Sequence, residues 1–150
     1  MMQVSQKTRY ALRAMFELAK HYGEGPVRIG DIAQRQAIPV RFLEGILSQL
    51  RQGGLLRSVR GARGGYELAE HPAQVSVGDL IRAIEGPIEP TPCLNDENPE
   101  DCPLFGDCVF LPMWRKAGEA LAQVYDGTTF AGLVELEQKQ HAERVLSYQI

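Results

Sequence analysis

Residues 55–69 read LLRSVRGARGGYELA, and this stretch restricts the fold more than any other. Short β-prone runs at 55–60 and 66–69 flank Gly61-Ala62-Arg63-Gly64-Gly65, the pattern of a β-hairpin with a glycine-rich tip. Three helical segments precede it. The first spans 7–22, with Tyr10, Ala14, Met15, Leu18 and Tyr22 on its apolar face and Gly23 and Gly25 ending it. Residues 26–30 form an extended connector, and Asp31 starts a second helix over 32–36. After a tight connection at Ala37-Ile38, Pro39 opens a third helix, where its missing N–H does no harm. That helix runs to Gln52 and stops at Gly53-Gly54. Three helices and then a hairpin is the order of a winged helix-turn-helix. A further helix is expected over 77–85, with Ser76 as its N-cap.

The character changes at 86–112. Six of the nine prolines fall there, with six acids and all three cysteines. Such a segment cannot build its own core, so something else must order it. A helix follows, starting between Asp107 and Pro112 and ending at Gly127, with Trp114, Ala117, Leu121 and Val124 at heptad-like spacing. Thr128 or Thr129 caps a last helix carrying Phe130, Leu133, Val134 and Leu136, and the polar tail from Gln138 is expected to fray. The expected fold is mainly α with a small β-hairpin wing. It divides into a reading region, 1–86, a cysteine loop, 87–108, and a C-terminal helical region, 109–150.

Charge divides along the same line. Residues 1–70 hold eleven Lys and Arg against six Asp and Glu, whereas residues 71–150 hold five against thirteen. The overall charge of −3 therefore conceals a basic first half, which suits a nucleic-acid face and is also compatible with ordinary solvated charge. No long apolar run predicts a membrane span, and the N-terminal helix is amphipathic rather than a signal peptide, so a cytoplasmic protein is expected. In that compartment clustered cysteines bind metal or sense redox state more often than they form structural disulfides.

The third helix has two faces. Leu43, Ile46, Leu47 and Leu50 form a core stripe, and Arg41, Glu44, Gly45 and Ser48 form a second stripe of the same spacing. Arg41 is suited to guanine O6 and N7, and Glu44 to cytosine N4. Gly45 costs the helix about 1 kcal/mol relative to Ala, a cost that close approach to DNA would explain. Alone, this face is also that of an ordinary surface helix. The hairpin tip adds Arg60 and Arg63 among glycines, a thin basic edge suited to phosphates or a narrow minor groove. Lys7, Arg9 and Arg13 on the first helix are candidates for flanking phosphates. No substrate motif, nucleophile–base arrangement or phosphate-binding loop points to an enzyme.

Eight residues separate Cys93 from Cys102, and five separate Cys102 from Cys108. This is neither the two-residue spacing of a zinc finger nor a ferredoxin run of four thiolates. Three thiolates suit an iron–sulfur cluster completed by a fourth ligand from elsewhere. Zinc bound by three cysteines and another residue, a thiol–disulfide switch and plain free thiols remain alternatives.

The motifs KTRYALRAM at 7–15, DIAQRQAI at 31–38, FLEGILSQL at 42–50, GLLRSVRGARGGY at 54–66 and VGDLIRAIEG at 77–86 stand ahead of the three cysteines and the Trp114 helix. In this order, over residues 2–136, they resemble the IscR/NsrR family of bacterial iron–sulfur transcription regulators. The resemblance implies a homodimer that binds palindromic promoter sites in double-stranded DNA, with the helix after the cysteine loop packing on its partner copy. It implies DNA contacts from Arg41, Phe42, Glu44 and Gly45 and from Arg60 and its glycine-rich neighbours, Gly64 among them. It also implies a 2Fe–2S or 4Fe–4S cluster on Cys93, Cys102 and Cys108, reporting redox state, iron or nitric oxide. Two positions depart from the family. Leu111 stands where IscR-like members have a ligating histidine, and Arg9 stands where nitric-oxide sensors have a ligating aspartate. The eight-residue gap is also longer than the usual five. The same fold without a cluster, using a thiol switch or a sulfur-metabolite signal, is the alternative.

Overall fold

The structure is a computed structural model that describes residues 4–95 and 102–149. In chain order it contains α1 (Gln6–Lys20), α2 (Ile29–Gln36), α3 (Val40–Gln52), β1 (Leu56–Val59), β2 (Gly65–Leu68), α4 (Val77–Glu85), α5 (Leu111–Asp126) and α6 (Phe130–Tyr148). Short 3₁₀ turns lie at Pro72–Gln74 and Pro92–Leu94. The architecture is mainly helical with one antiparallel hairpin, as expected. Among the described residues no helix is long and apolar enough to cross a membrane.

Ser5 caps α1 by accepting a hydrogen bond from the Thr8 amide at 3.1 Å. Ala11, Ala14, Met15, Leu18 and Ala19 turn inward. Tyr22 does not join them: α1 ends at Lys20, and Tyr22 lies exposed beyond it. The second helix starts at Ile29 rather than near Asp31, which places Asp31 in its first turn, where an acid complements the helix dipole. The connector is correspondingly short. Val27 leaves it to pair with Tyr66, each amide donating to the other's carbonyl at 2.8 Å, so the hairpin gains a short third arm. Ala37 closes the turn between α2 and α3 in the left-handed region, at φ 50°. Pro39 is the N-cap of α3 rather than its first helical residue.

The apolar stripe of α3 is fully inward. Leu43, Ile46, Leu47 and Leu50 pack in one core with Leu18, Ile32, Leu56, Leu68, Leu80 and Phe130. Burying each such side chain contributes about 2 kcal/mol, which holds α3 firmly against its scaffold. A buried polar contact fixes α1 to α2. Glu17, only 2% exposed, meets Lys20 Nζ at 3.1 Å, Arg35 Nη1 at 3.3 Å and Gln36 Nε2 at 2.7 Å. Burial alone would raise its pKa, but the hydrogen bonds from Gln36, Lys20 and Arg35 and the Lys20 charge outweigh burial and hold it below the usual glutamate value.

Ser76 and Asp79 form a reciprocal capping box at the start of α4. The Ser76–Thr129 bridge and the Phe130 amide on the Val75 carbonyl, at 3.0 Å, draw the start of α6 back against α4. Thr129 is the cap, and α6 continues to Tyr148 rather than fraying from Gln138. Gln, Lys, Ala, Glu, Arg and Leu after position 137 are good helix formers, so propensity extends the helix where packing is sparse.

Only Gly118 of α5 is buried. Trp114, Ala117 and Leu121 are half-covered by their own chain. The outward apolar stripe is instead Phe110, Met113, Ala120 and Val124 with the half-covered Ala117 at its edge, so the seam expected from the sequence shifts while keeping Val124. Near its C-terminal end α5 is pinned to α4 by the Arg82 guanidinium, which donates to both carboxylate oxygens of Asp126 at 2.7 and 2.8 Å. Gly78 makes room for that pair: a Cβ there would sit 1.8 Å from Asp126 Oδ1.

Candidate nucleic-acid interface and cysteine loop

Burial of the α3 stripe leaves Arg41, Phe42, Glu44 and Gly45 exposed on the opposite side, with Ser48 half-buried beside them. Phe42 is 48% exposed, and its ring packs beside Tyr10 of α1. A Cβ on Gly45 would meet no atom within 4 Å, so internal packing does not require glycine there. Between α3 and α1 lies a groove of about 500 Å³, walled by Lys7, Tyr10, Arg41, Phe42 and Ile46. It is apolar inside and cationic at the rim.

The wing follows α3 directly, and its first strand packs on that helix. Its strands pair Leu56 with Leu68 and Val59 with Gly65. At the tip the Gly64 amide donates to the Gly61 carbonyl at 3.0 Å, and Gly61 has φ +109°. A Cβ on Gly64 would fall 2.3 Å from the Val59 carbonyl oxygen, so the turn itself demands glycine at this position. Arg60 and Arg63 are exposed and enter no ion pair among the described residues. Arg57 differs, since it pairs with Glu67 across the strands at 3.3 Å. Two further arginines brace the wing and were not singled out by the sequence. Arg28 donates to the Ala62 carbonyl at the tip, and Arg51 of α3 donates to Ser58 Oγ at 3.3 Å. Neither contact has a local sequence signal, since the partners lie 34 and 7 residues away. Lys7 and Arg9 are exposed near the start of α1, and Arg13 is half-buried one turn further on.

Cys93 lies in a turn that packs on α5, and Cys108 stands just before that helix. Cys93 lies in the 3₁₀ turn Pro92–Leu94, with Thr91 Oγ1 3.2 Å from its sulfur. The segment leading to it is seated on α5 at Gly118, where a Cβ would approach Pro90 Cδ to 3.1 Å. Cys108 precedes the first residue of α5 by three positions. All three thiols are free and half-buried. As a donor set, three soft thiolates fit an iron–sulfur cluster. Among the described residues no three His, Cys, Asp or Glu side chains converge as metal ligands, so closure of such a site requires the loop to draw the thiols together. Of the loop acids that are candidates for a fourth ligand, Asp96, Glu97, Glu100 and Asp101 lie outside the described residues, and Asp107 is exposed. Leu111 begins α5 with a side chain that cannot ligate. The histidines are engaged or distant: His21 Nδ1 is 2.7 Å from Glu24, His71 accepts from the Ala73 amide at 3.1 Å, and His141 lies on the exposed part of α6.

Three packed helices, a hairpin carrying free arginines and an exposed polar face on the third helix define a winged helix-turn-helix regulator. Comparison with known proteins narrows the class. Residues 4–136 match the Rrf2 family, described as an iron-dependent transcriptional regulator, and the chain belongs to that family. It is 42% identical over 132 residues to the HTH-type transcriptional regulator CymR of Bacillus subtilis (strain 168), covering 88% of this chain and 89% of the relative. The solved structure of CymR (YrzC), the global cysteine regulator of B. subtilis, superposes with a TM-score of 0.75 at 40% identity, over 91% of this chain and 98% of that one. T. potens IscR superposes with a TM-score of 0.76 at 37% identity, over 93% and 90% of the two chains. The chain is a transcriptional regulator with relatives of both kinds.

Proposed function

We propose that this protein is a cytoplasmic, homodimeric regulator, without enzymatic activity, that binds a palindromic promoter site in double-stranded DNA under the control of its cysteine loop. One observation carries the reading: the polar face of α3 and the arginines of the wing tip are both exposed on the basic half of the chain, on two elements that pack together through Arg51 and Ser58. In this reading α3 enters the major groove. Arg41 addresses guanine and Glu44 cytosine, Phe42 and Ser48 line the contact, and Gly45 allows close approach. Arg60 and Arg63 follow phosphates or the minor groove from a tip shaped by Gly64. The working division of the chain is a reading region, 1–86, a sensing loop, 87–108, and a dimerising region, 109–150. A second copy is the natural cover for the outward stripe of α5. Phe110, Met113 and Val124 are 53%, 49% and 64% exposed, and with Ala117 and Ala120 they follow the three-four spacing of a coiled-coil seam.

Cys93, Cys102 and Cys108 are the thiols that would hold an iron–sulfur cluster, with a fourth ligand from outside these three. When bound, that group supplies a redox- or nitric-oxide-sensitive tie. The chain's own part is mechanical. The loop rests on α5 at Gly118, and α5 is bolted to the reading region through Asp126 and Arg82. Iron and sulfide counts on anaerobically purified protein test this. Stoichiometric iron that is lost in Cys102→Ala, with the fold retained by circular dichroism, supports the assignment. Unchanged iron in that variant refutes it.

A second reading is favoured by a specific observation: both positions that supply a fourth ligand in the family carry non-ligating residues, Leu111 and Arg9. The thiols then act as a redox switch or answer a sulfur metabolite, consistent with the likeness to a cysteine regulator. A colourless protein, still iron-free after reconstitution, would establish this reading over the first.

A further inference from the structure

Four side chains form a ladder between the first helix and the reading helix. The guanidinium of Arg41 lies over the Phe42 ring, 4.7 Å from its centroid. The Phe42 ring lies 6.4 Å from that of Tyr10 on α1, tilted by 32°. The guanidinium of Arg13, one turn along α1, lies over the Tyr10 ring at 5.5 Å. Arg13 also reaches the Ala37 carbonyl at 3.5 Å, at the turn between α2 and α3. Each spacing is within the range in which cation–π or aromatic pairs attract. The ladder runs from the turn, along α1, to the tip of the reading face.

We propose that Tyr10 is a specificity-determining residue: it holds Phe42, and through it the Arg41 guanidinium, in the pose that reads a base. This rests on the reading of Arg41 as a base contact. An exposed arginine has many rotamers, and most of them can reach a phosphate. Only a few present the planar fork to O6 and N7 of one guanine. Covering one guanidinium face with an aromatic ring removes many of the others before DNA arrives. The gain therefore falls on discrimination between bases and not on general attraction to the backbone. Phe42 is itself nearly half exposed, and Tyr10 is the aromatic ring that packs against it. Tyr10 is suited to the task. It is half-buried and packs against the core on one side, so its ring is fixed, and it walls the groove beside Phe42 on the other.

The test uses the full-length protein and a DNA site selected from a random-sequence pool. Affinities are measured for that site, for every single-base replacement within one half-site and for a random duplex, at several salt concentrations. Arg41→Ala identifies the base position that Arg41 reads. Tyr10→Leu is expected to reduce discrimination at that same position about two- to fivefold, the worth of an exposed cation–π contact. Random-duplex affinity and salt slope should stay unchanged, and Tyr10→Phe should retain the preference because it keeps the ring. Tyr10→Met, which fills a similar volume without a ring, provides the same test should Tyr10→Leu lower the folded fraction. The proposal is overturned if the folded ring-less variant at Tyr10 leaves discrimination at the Arg41 position unaltered, or if the loss is spread evenly over all positions. Should Arg41→Ala leave every base preference intact, the base-reading role of Arg41 itself fails, and the ladder proposal with it.

Discussion

Replacing Arg60 with alanine measures what the wing contributes. Arg60 is exposed and makes no ion pair among the described residues, so its charge is fully available to DNA. Each phosphate neutralised adds roughly 0.9 to the steepness of log affinity against log salt. A dimer carries two wings, so Arg60→Ala should flatten the slope by about 1.8. Between about 50 and 200 mM salt, the ratio of parent to variant affinity should then shrink roughly 12-fold, with the defect largest at low salt. The loss should be similar on a selected site and on a random duplex, because phosphates carry no sequence. Arg57→Ala is the internal control. Its guanidinium is already engaged by Glu67 at 3.3 Å, so its slope should change by clearly less. Fluorescence anisotropy at five or so salt concentrations reads all three proteins. Parallel lines for the parent and Arg60→Ala would remove the wing from the phosphate contacts.

Three other outcomes are expected. Val124→Asp places a charge on the exposed α5 stripe and should convert a dimer to monomer in sedimentation while leaving the monomer folded; an unchanged mass would take Val124 out of the interface. Gly78→Ala pushes a methyl into the exposed Asp126–Arg82 pair; loss of that pair is offset by a similar gain in helix propensity, up to about 1 kcal/mol, so Tm should move by less than roughly 3 °C, and a larger fall would mean that the carboxylate cannot swing aside. Glu17→Gln should destabilise the protein by about 2 kcal/mol at neutral pH. The folded carboxylate has a lowered pKa, so its contribution is complete above the unfolded value near 4.5 and fades as pH falls through the folded one. Denaturant melts should therefore show parent and variant converging in acid, and a constant gap down to about pH 3 would contradict the assigned contacts.

Where a signal lies within one helical turn, the sequence alone determined the outcome. The stripe Leu43, Ile46, Leu47 and Leu50 fixed the buried face of α3 and, by subtraction, the exposed one with Arg41 and Glu44. Ser76 fixed one helix start and the pair Thr128-Thr129 narrowed another to two positions, because an N-cap needs only its own hydroxyl and an amide three residues on. The glycines of the wing fixed a hairpin, because Gly64 is required by the turn itself. Contacts between distant segments needed the tertiary structure. Two overlapping apolar seams run along α5, and only the packing of the 88–94 segment at Gly118 turns Trp114 and Leu121 inward and leaves Met113 and Val124 out. Phe130 sits more than a hundred residues from Leu18 yet shares its core, because the Ser76–Thr129 bridge folds the chain back. Tyr10 looked like one more core residue of α1. Only the crossing of α1 and α3 gives its ring a second side, facing Phe42 and the reading surface. Periodicity tells which face of a helix is apolar; which neighbour that face meets depends on loop closures and packing summed over the whole chain.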